Sequence, residues 1–315
     1  MLPISSFVLA MTPLYIMAII GFAARKLRVF NKHANQVMTQ LMLYITLPAL
    51  ILFSLHTTFS IELLIDFIWL VIMSIFVLSV SVLTAARLRK SAALPANQKS
   101  VFESLIIFGN QGFIGFAVIY ILMAEQGIIY LTMFNICYLI LIWTYGIYLF
   151  TKHEQSINWR VLFFNPGILA TLVGLCMLFL PFSWPTMILT TFEDVGKMTI
   201  PLSMILIGSF LADIQMKHLI QYGKSIHIWI AATLKLVILP LSLLVFILLP
   251  VPPSLIIVAM LTAAMPSAST TSVYAQKFGA DASFASVGVM LTTILCIITI
   301  PIIYNILQWV LLYIN

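Results

Sequence analysis

Long apolar stretches separated by short polar joints run along the whole chain. A membrane-spanning helix needs about 20 predominantly apolar residues, and stretches of that kind recur throughout this sequence. The pattern predicts an all-α integral membrane protein that forms a single membrane domain over residues 1–315. We place ten predicted spans at residues 4–24, 37–55, 67–88, 104–122, 128–150, 161–180, 186–212, 226–249, 254–276 and 282–312.

Four of these spans contain residues that bend or break a helix. Proline removes a helical hydrogen bond and kinks the chain, and prolines lie inside the second and seventh spans. The fourth and ninth spans are the least helical in pattern, because glycine, proline and small polar residues interrupt residues 109–115 and 265–271. We therefore expect helix breaks or hinges at Pro48, Gly109, Pro201 and Pro266.

Composition and charge placement agree with this map. The chain is 63% hydrophobic and 8% charged, whereas a soluble domain has about a quarter of its residues charged. With the N-terminus outside, 13 of the 15 Lys and Arg residues fall in loops on one side, and the opposite loops hold none. Positive loops stay cytoplasmic, so both termini are predicted outside, and these short basic runs predict no nucleic-acid partner.

The two halves of the sequence repeat at an offset of 153 residues, which predicts one repeat over residues 1–152 and another over 153–315. Five spans per repeat is an odd number, so the second repeat enters the membrane inverted relative to the first. The matched positions are Pro13 with Pro166, Gly21 with Gly174, Thr46 with Thr199, Pro48 with Pro201, and Phe108–Phe116 with Leu261–Ser269.

Inverted repeats with paired broken spans are typical of secondary transporters, whose substrate site lies at the breaks. Unwound backbone cannot face lipid, and half-helix N-termini favour a negative charge, so a small organic anion such as a carboxylate is the expected substrate. A single glycine or serine would more simply pack helices or bond to its own backbone. The predicted substrate-binding residues at the breaks are Asn110, Gln111, Gly112, Gly115, Pro266, Ser267, Ser269 and Thr270.

Two lysines lie within predicted spans. Lys235, in the eighth span, is predicted to attract the anion, and the alternative is a lysine that snorkels or pairs with a carbonyl group. Lys197 follows Glu193 and Asp194 at helical spacing, which indicates either an internally satisfied ion cluster or a coupling site in an outer vestibule. Thr292 and Thr293 rank low as site residues. The residues leave open whether H⁺ or Na⁺ drives transport.

Other chemistries lack their motifs. The sequence contains no Walker A motif, no GxSxG and no His/Glu metal spacing, so neither ATP, an enzymatic activity, a metal nor any other cofactor is expected. A ligand-binding membrane sensor without turnover would share the same pocket and is an alternative to a carrier. A channel is a third and weaker alternative.

The chain resembles the auxin efflux carrier family, which includes plant PIN proteins and bacterial malonate-type carriers, over essentially its whole length. The residues responsible are Leu47–Leu50, Gly109–Gly115, Ile200–Ser203 with Gly208, and the stretch from Met265 to Thr293. Asn110 with the Gly112–Gly115 turn matches the first crossing segment of the family, and Pro266 with Ser267 matches the second.

The resemblance implies a fold like that of the bile-acid sodium symporters, with crossed fourth and ninth spans. Spans within 67–150 and 226–312 would form a mobile, elevator-type transport domain, and those within 4–55 and 161–212 a scaffold that forms a homodimer in the lipid bilayer. Malonate- or malate-like acids and auxin-like weak acids are the implied substrates, with sodium-coupled symport as an alternative. The family commonly has a proline where this chain has Ala117. The absence of the long plant loop favours a bacterial inner-membrane protein.

Overall fold

The computed structural model describes residues 4–151, 166–179, 184–213 and 216–314. Within these ranges the regular secondary structure is helical and includes no β-strand, apart from one isolated bridge between Gly109 and Ser267. The predicted all-α class is therefore confirmed. Two basic residues that contribute to the predicted loop charge, Lys152 and Arg160, lie outside the described residues. The same is true of residues 161–165, the start of the predicted sixth span.

The described part of the first half of the chain contains seven α-helices and three π-helical turns. The turns Met42–Thr46, Gln111–Gly115 and Ile142–Gly146 each lead directly into the next helix. Ala124, at φ 47° and ψ −136°, interrupts the sixth helix and divides it into two helical parts. The helices are α1 (Ile4–Lys26), α2 (Lys32–Leu41), α3 (Leu47–Ser54), α4 (Ile61–Ser91), α5 (Ala96–Ile107), α6 (Phe116–Leu141) and α7 (Ile147–Thr151).

The described part of the second half continues with nine further helices. A π-helical turn, Leu234–Ile238, and a 3₁₀ helix, Leu243–Leu248, lie within the predicted eighth span. The short α11 occupies part of a predicted loop. The helices are α8 (Pro166–Phe179), α9 (Thr186–Lys197), α10 (Thr199–Ala212), α11 (Met216–Tyr222), α12 (Ile226–Thr233), α13 (Leu239–Ser242), α14 (Pro253–Ala263), α15 (Thr270–Lys277) and α16 (Ala282–Ile314).

Seven helical stretches of the described chain are long and apolar enough to cross a membrane, and two shorter apolar helices accompany them. Seven is fewer than ten because the broken ninth span contributes only Pro253–Ala263 and the described part of the sixth only Pro166–Leu178. In addition, the stretch Gln111–Thr151 contains both the end of the predicted fourth span and the fifth. The ten-span inverted repeat therefore remains a prediction, whereas helices long and apolar enough to span a membrane are present.

Helices α1 and α10 pack with their backbones in direct contact, and two glycines make this possible. A Cβ atom at Gly21 would overlap the backbone of Ile205, and one at Gly208 would overlap the carbonyl group of Ala18. Small residues at such interfaces let membrane helices approach closely, which maximises van der Waals contact where no hydrophobic effect operates. The glycines thus define this helix pair.

Helix α3 packs against α8 and α9 in a similar way. A Cβ atom at Gly174 would meet the Leu55 side chain, and one at Gly196 would meet the Leu50 backbone. Nearby, the buried hydroxyl groups of Thr46 and Thr199 share a hydrogen bond of 2.9 Å. These two threonines are the pair that the 153-residue offset aligns. Helices α1, α3, α8, α9 and α10 therefore form one connected group.

Asp281 ties three helices together at the start of α16. Its Oδ1 accepts a hydrogen bond from the Phe284 N–H at 2.9 Å, and its Oδ2 accepts from Gln98 Nε2 and the Tyr222 hydroxyl, both at 2.9 Å. Partial burial acts to raise the pKa of Asp281, but these hydrogen bonds outweigh it and hold the pKa below its usual range.

Replacing Asp281 by alanine is expected to destabilise the protein, because it removes a helix cap worth about 1 kcal/mol and leaves the Gln98 and Tyr222 donors without their acceptor. Asp281→Asn retains an oxygen that can cap α16 and serves as the matched control. The melting temperature in detergent should be lower for the alanine variant than for the asparagine variant.

Because the pKa of Asp281 is lowered on folding, the wild type should also lose stability as the pH falls below about 4, and Asp281→Asn should lose less. Equal melting temperatures for the two variants would contradict this role.

Candidate functional site

The two interrupted segments meet and pair through their backbones. Asn110 N–H donates to the carbonyl oxygen of Pro266 at 2.6 Å, and Ala268 N–H donates to that of Phe108 at 2.9 Å. Residues 108–110 and 266–268 thus form a short antiparallel crossing between α5 and α14. Each backbone N–H or C=O group left without a hydrogen bond costs several kcal/mol within a membrane. At the crossing, each break supplies hydrogen-bond partners for backbone groups of the other.

The crossing does not follow the register that the sequence repeat predicts. The offset of 153 residues aligns Gln111, the first residue of the turn after the first break, with Ala264. In the structure Ala264 is the first residue of the second break, and helix resumes only at Thr270. The second break is therefore longer, at residues 264–269 against 108–110, and the bridged residues Gly109 and Ser267 lie 158 positions apart.

The first break forms without the proline that the family resemblance leads us to expect. The N–H groups of Ile114 and Gly115 both donate to the carbonyl oxygen of Asn110, at 3.1 and 3.4 Å. This shared acceptor closes the wide π-helical turn Gln111–Gly115, and α6 follows with Ala117 fully buried. A Cβ atom at Gly112 would meet no atom within 4 Å, so space lies open beside the turn.

Ser267 is held by contacts behind the crossing. Its side chain is fully buried, and its hydroxyl donates to the carbonyl oxygen of Leu105 at 2.7 Å. Its N–H donates to Thr292 Oγ1 at 3.1 Å, so Thr292, which ranked low from the sequence, helps to position the crossing. On the other segment, the Tyr138 hydroxyl donates to the carbonyl oxygen of Gly109 at 2.6 Å. These contacts orient the backbone and leave Ser267 turned away from open space.

A cavity of about 480 Å³ lies beside the crossing, between α10 on one side and α15 and α16 on the other. Of the predicted binding residues, Asn110 and Ser269 line it, whereas the structure does not place the other predicted residues in its wall. Thr293 lines it as well. The polar residues of the wall are Asn110, Asp213, His218, Ser269, Ser272, Gln276, Ser283, Ser286 and Thr293.

Several of these wall residues were not predicted from the sequence. Ser272 and Gln276 on α15 follow the predicted Ser269 at helical spacing, and this polar stripe was a signal available in the sequence. Asp213 and His218 offered no such signal, because both lie in the predicted loop between the seventh and eighth spans. Only the tertiary structure brings them to the cavity wall. Asp213 is paired with Arg25 at 2.5 Å, which balances its charge.

Three polar side chains at the breaks lack a hydrogen-bond partner within the described chain. The Asn110 side chain is 5% exposed, lines the cavity and makes no such bond there. Gln111 Oε1 and Thr270 Oγ1 are also buried without a partner. Polar side chains inside a protein are nearly always hydrogen-bonded, so the unpaired Asn110 side chain at the cavity wall indicates a place where a ligand or water completes the set.

Lys235 is buried at the back of the first break. Its side chain is 4% exposed, and Nζ donates to the carbonyl oxygen of Ile107 at 3.3 Å. It does not line the cavity, and its Nζ lies close to Gly109, where an ideal Cβ atom would be 2.9 Å away. The alternative interpretation, a lysine paired with a carbonyl group, is the arrangement that the structure contains.

The other predicted residues lie away from the crossing. Lys197 forms an ion pair with Glu193 at 2.5 Å on a partly exposed face of α9, outside the cavity, with Asp194 beside them. Pro48 lies in the first turn of α3, directly after a π-helical turn, and Pro201 lies in the first turn of α10. Met198, between α9 and α10, keeps right-handed helical dihedral angles, so Thr186–Ala212 forms one helical stretch.

Comparison with known proteins agrees with this geometry. A family model described as membrane transport protein matches residues 6–304, which is nearly the whole chain. A search of curated proteins found no significant match. The matched family consists of transporters and not of enzymes. The chain belongs to the auxin efflux carrier family of membrane transport proteins.

Proposed function

We propose that this protein is a secondary transporter that moves a small organic anion, a carboxylate of the malonate, malate or auxin type, across the membrane. The observation that best supports this function is the unpaired Asn110 amide at the wall of the cavity, directly at the crossing of the two broken segments. An amide group can donate two hydrogen bonds to a carboxylate.

The surroundings of Asn110 favour an anion. Helical structure begins at Gln111 and at Thr270, on either side of the crossing, and the first N–H groups of a helix carry partial positive charge. The cavity wall contains one carboxylate, Asp213, which Arg25 neutralises. The unpaired Thr270 hydroxyl adds a further donor near the second break.

An elevator-type movement is the mechanism we propose. The group of α1, α3, α8, α9 and α10 corresponds to the scaffold spans 4–55 and 161–212. The crossing and the helices around it correspond to the transport-domain spans 67–150 and 226–312. The cavity lies between α10 and the pair α15 and α16, at the boundary between the two groups, where sliding of one group would expose the site alternately. A homodimer through the scaffold is part of the proposal.

The proposed orientation places both termini outside the inner membrane of a bacterium. Asp213, His218 and Ser283, which border the cavity, lie next to loops that carry Lys217, Lys224 and Lys277. Positively charged loops are cytoplasmic, so the cavity of this conformation would open to the cytoplasm.

Proteoliposomes test the proposed function. Vesicles with purified protein and an internal unlabelled carboxylate should accumulate the labelled acid above its external concentration, and protein-free vesicles should not. Malonate, malate and indole-3-acetate form the first panel, each measured with and without H⁺ and Na⁺ gradients. Saturable binding without counterflow would instead indicate a sensor, and neither binding nor counterflow with any acid would contradict the proposal.

A further inference from the structure

Four carbonyl groups at and just after the C-terminal end of α5 are supplied with a donor from elsewhere in the fold. Leu105 receives the Ser267 hydroxyl, Phe108 the Ala268 N–H, and Gly109 the Tyr138 hydroxyl. All three donors are neutral. Ile107 differs, because its donor is the ammonium group of Lys235 at 3.3 Å. A neutral donor would satisfy a carbonyl equally well, so the charge calls for an explanation.

Among the residues that the structure describes, no acidic partner accounts for that charge. Lys235 is 4% exposed, and none of the ion pairs of the described residues includes it. A buried ammonium group without a carboxylate is costly, so the site must stabilise it in another way. The end of α5 does so, because a helix C-terminus carries partial negative charge and exposes free carbonyl oxygens.

The ammonium group also lies tightly against the first break. An ideal Cβ atom at Gly109 would lie 2.9 Å from Lys235 Nζ and 3.1 Å from its Cε. Glycine is therefore the residue that lets the amine approach the unwound backbone. In transporters with broken helices, half-helix C-terminal ends and unwound carbonyl groups are where a coupling Na⁺ or H⁺ is held.

We propose that Lys235 is a covalently tethered cation that occupies the position of a coupling cation at the end of α5. Because the lysine fills this position permanently, we further infer that anion transport needs no Na⁺ gradient. This second part of the inference rests on the proposed transport function. The lysine balances the half-helix charge and travels with the crossing, and the anion binds at Asn110, the residue after Gly109 that lines the cavity.

The first test removes the tether and measures stability, which does not depend on transport. Lys235→Ala vacates the position, and its melting temperature in choline chloride should fall by about 5 °C or more. Sodium, potassium or ethylammonium chloride should restore most of that loss, in a saturable manner at equal ionic strength. The wild type and Lys224→Ala, which lacks an exposed lysine in the loop before the same span, should melt alike in all four salts.

Two further variants separate charge from packing. Lys235→Met retains the length of the side chain without its charge, so it should be destabilised and resist rescue because the position is filled. Gly109→Ala retains the charge but displaces the amine, so it should fall between the wild type and Lys235→Met. If Lys235→Met is as stable as the wild type, or if choline rescues Lys235→Ala as well as sodium does, the tethered-cation role is wrong.

Transport provides the second test. Replacing sodium by choline should leave wild-type counterflow unchanged, whereas Lys235→Ala should lose about 10-fold or more in choline and recover with sodium or ethylammonium. Sodium-dependent counterflow by the wild type would overturn the inference while leaving the carrier function intact. Conversely, a wild type that moves no acid, together with salt rescue of Lys235→Ala stability, would refute the transport function and retain the cation position.

Discussion

Gly208→Ala is expected to lower the melting temperature by about 6–12 °C, and Gly208→Leu to prevent accumulation of folded protein. A Cβ atom at this position would overlap the carbonyl group of Ala18 and approach the Phe22 N–H of α1. Both neighbours are backbone atoms that cannot rotate away, so the helices must separate along their contact. Overpacking of this kind costs about 1–3 kcal/mol for small additions and more for large ones.

The matched control is Gly112→Ala, measured for stability alone. A Cβ atom at Gly112 would meet no atom within 4 Å, and its φ lies outside the left-handed region that favours glycine. The melting temperature of this variant should remain within about 2 °C of the wild type. Fluorescence-detected gel filtration and thermal melting in detergent measure both variants. Equal destabilisation by the two substitutions would contradict the close contact between α1 and α10.

Asn110→Ala is expected to reduce kcat/KM for the transported acid by about 10- to 100-fold while the protein remains folded. The amide makes no hydrogen bond within the described chain and lines the cavity, so its removal breaks no hydrogen bond of the empty protein. It removes a hydrogen bond to a charged substrate, which is worth about 1.5–3 kcal/mol. Counterflow in proteoliposomes, with melting temperature as the check on folding, gives the measurement.

Asn135→Ala is the control for this substitution. Asn135 is also a buried asparagine, 6% exposed, but it does not line the cavity, and its Oδ1 has no partner within the described residues. Its replacement should leave kcat/KM within about twofold of the wild type. If Asn110→Ala transports as well as Asn135→Ala does, the substrate does not bind at the crossing in the manner proposed.

The broad class of the protein was predictable from the sequence because membrane insertion depends mainly on local composition. Each apolar stretch partitions into lipid by the sum of its own residues, and loop charge is equally local. The breaks were predictable for a similar reason. Glycine, proline and small polar residues at 109–115 and 265–271 weaken a helix wherever they occur, and helix is interrupted within both segments.

The arrangement at the breaks was not predictable to the same degree. The offset of 153 residues pairs Thr46 with Thr199, which share a hydrogen bond, but it misaligns the two breaks. Their register depends on which backbone groups remain free after each half-helix ends and on which distant donors reach them. Nothing in a local pattern records that Asn110 bonds to Pro266.

Side-chain direction was equally beyond the sequence. Lys235 and Asn110 are both polar residues in predicted spans, yet Lys235 is buried against Gly109 and does not line the cavity, whereas Asn110 does. The difference arises from the way the eighth span packs against α5, and it changes the interpretation of Lys235 from a substrate contact to a tethered cation.

The sequence by itself thus determined an all-helical membrane protein, its family and the two segments where helices break, because these follow from the properties of each segment alone. Only the tertiary structure decided how the breaks pair, which polar groups remain unpaired, and where the cavity lies. Those features depend on hydrogen bonds and packing between residues more than 150 positions apart, whose partners are selected by the whole fold.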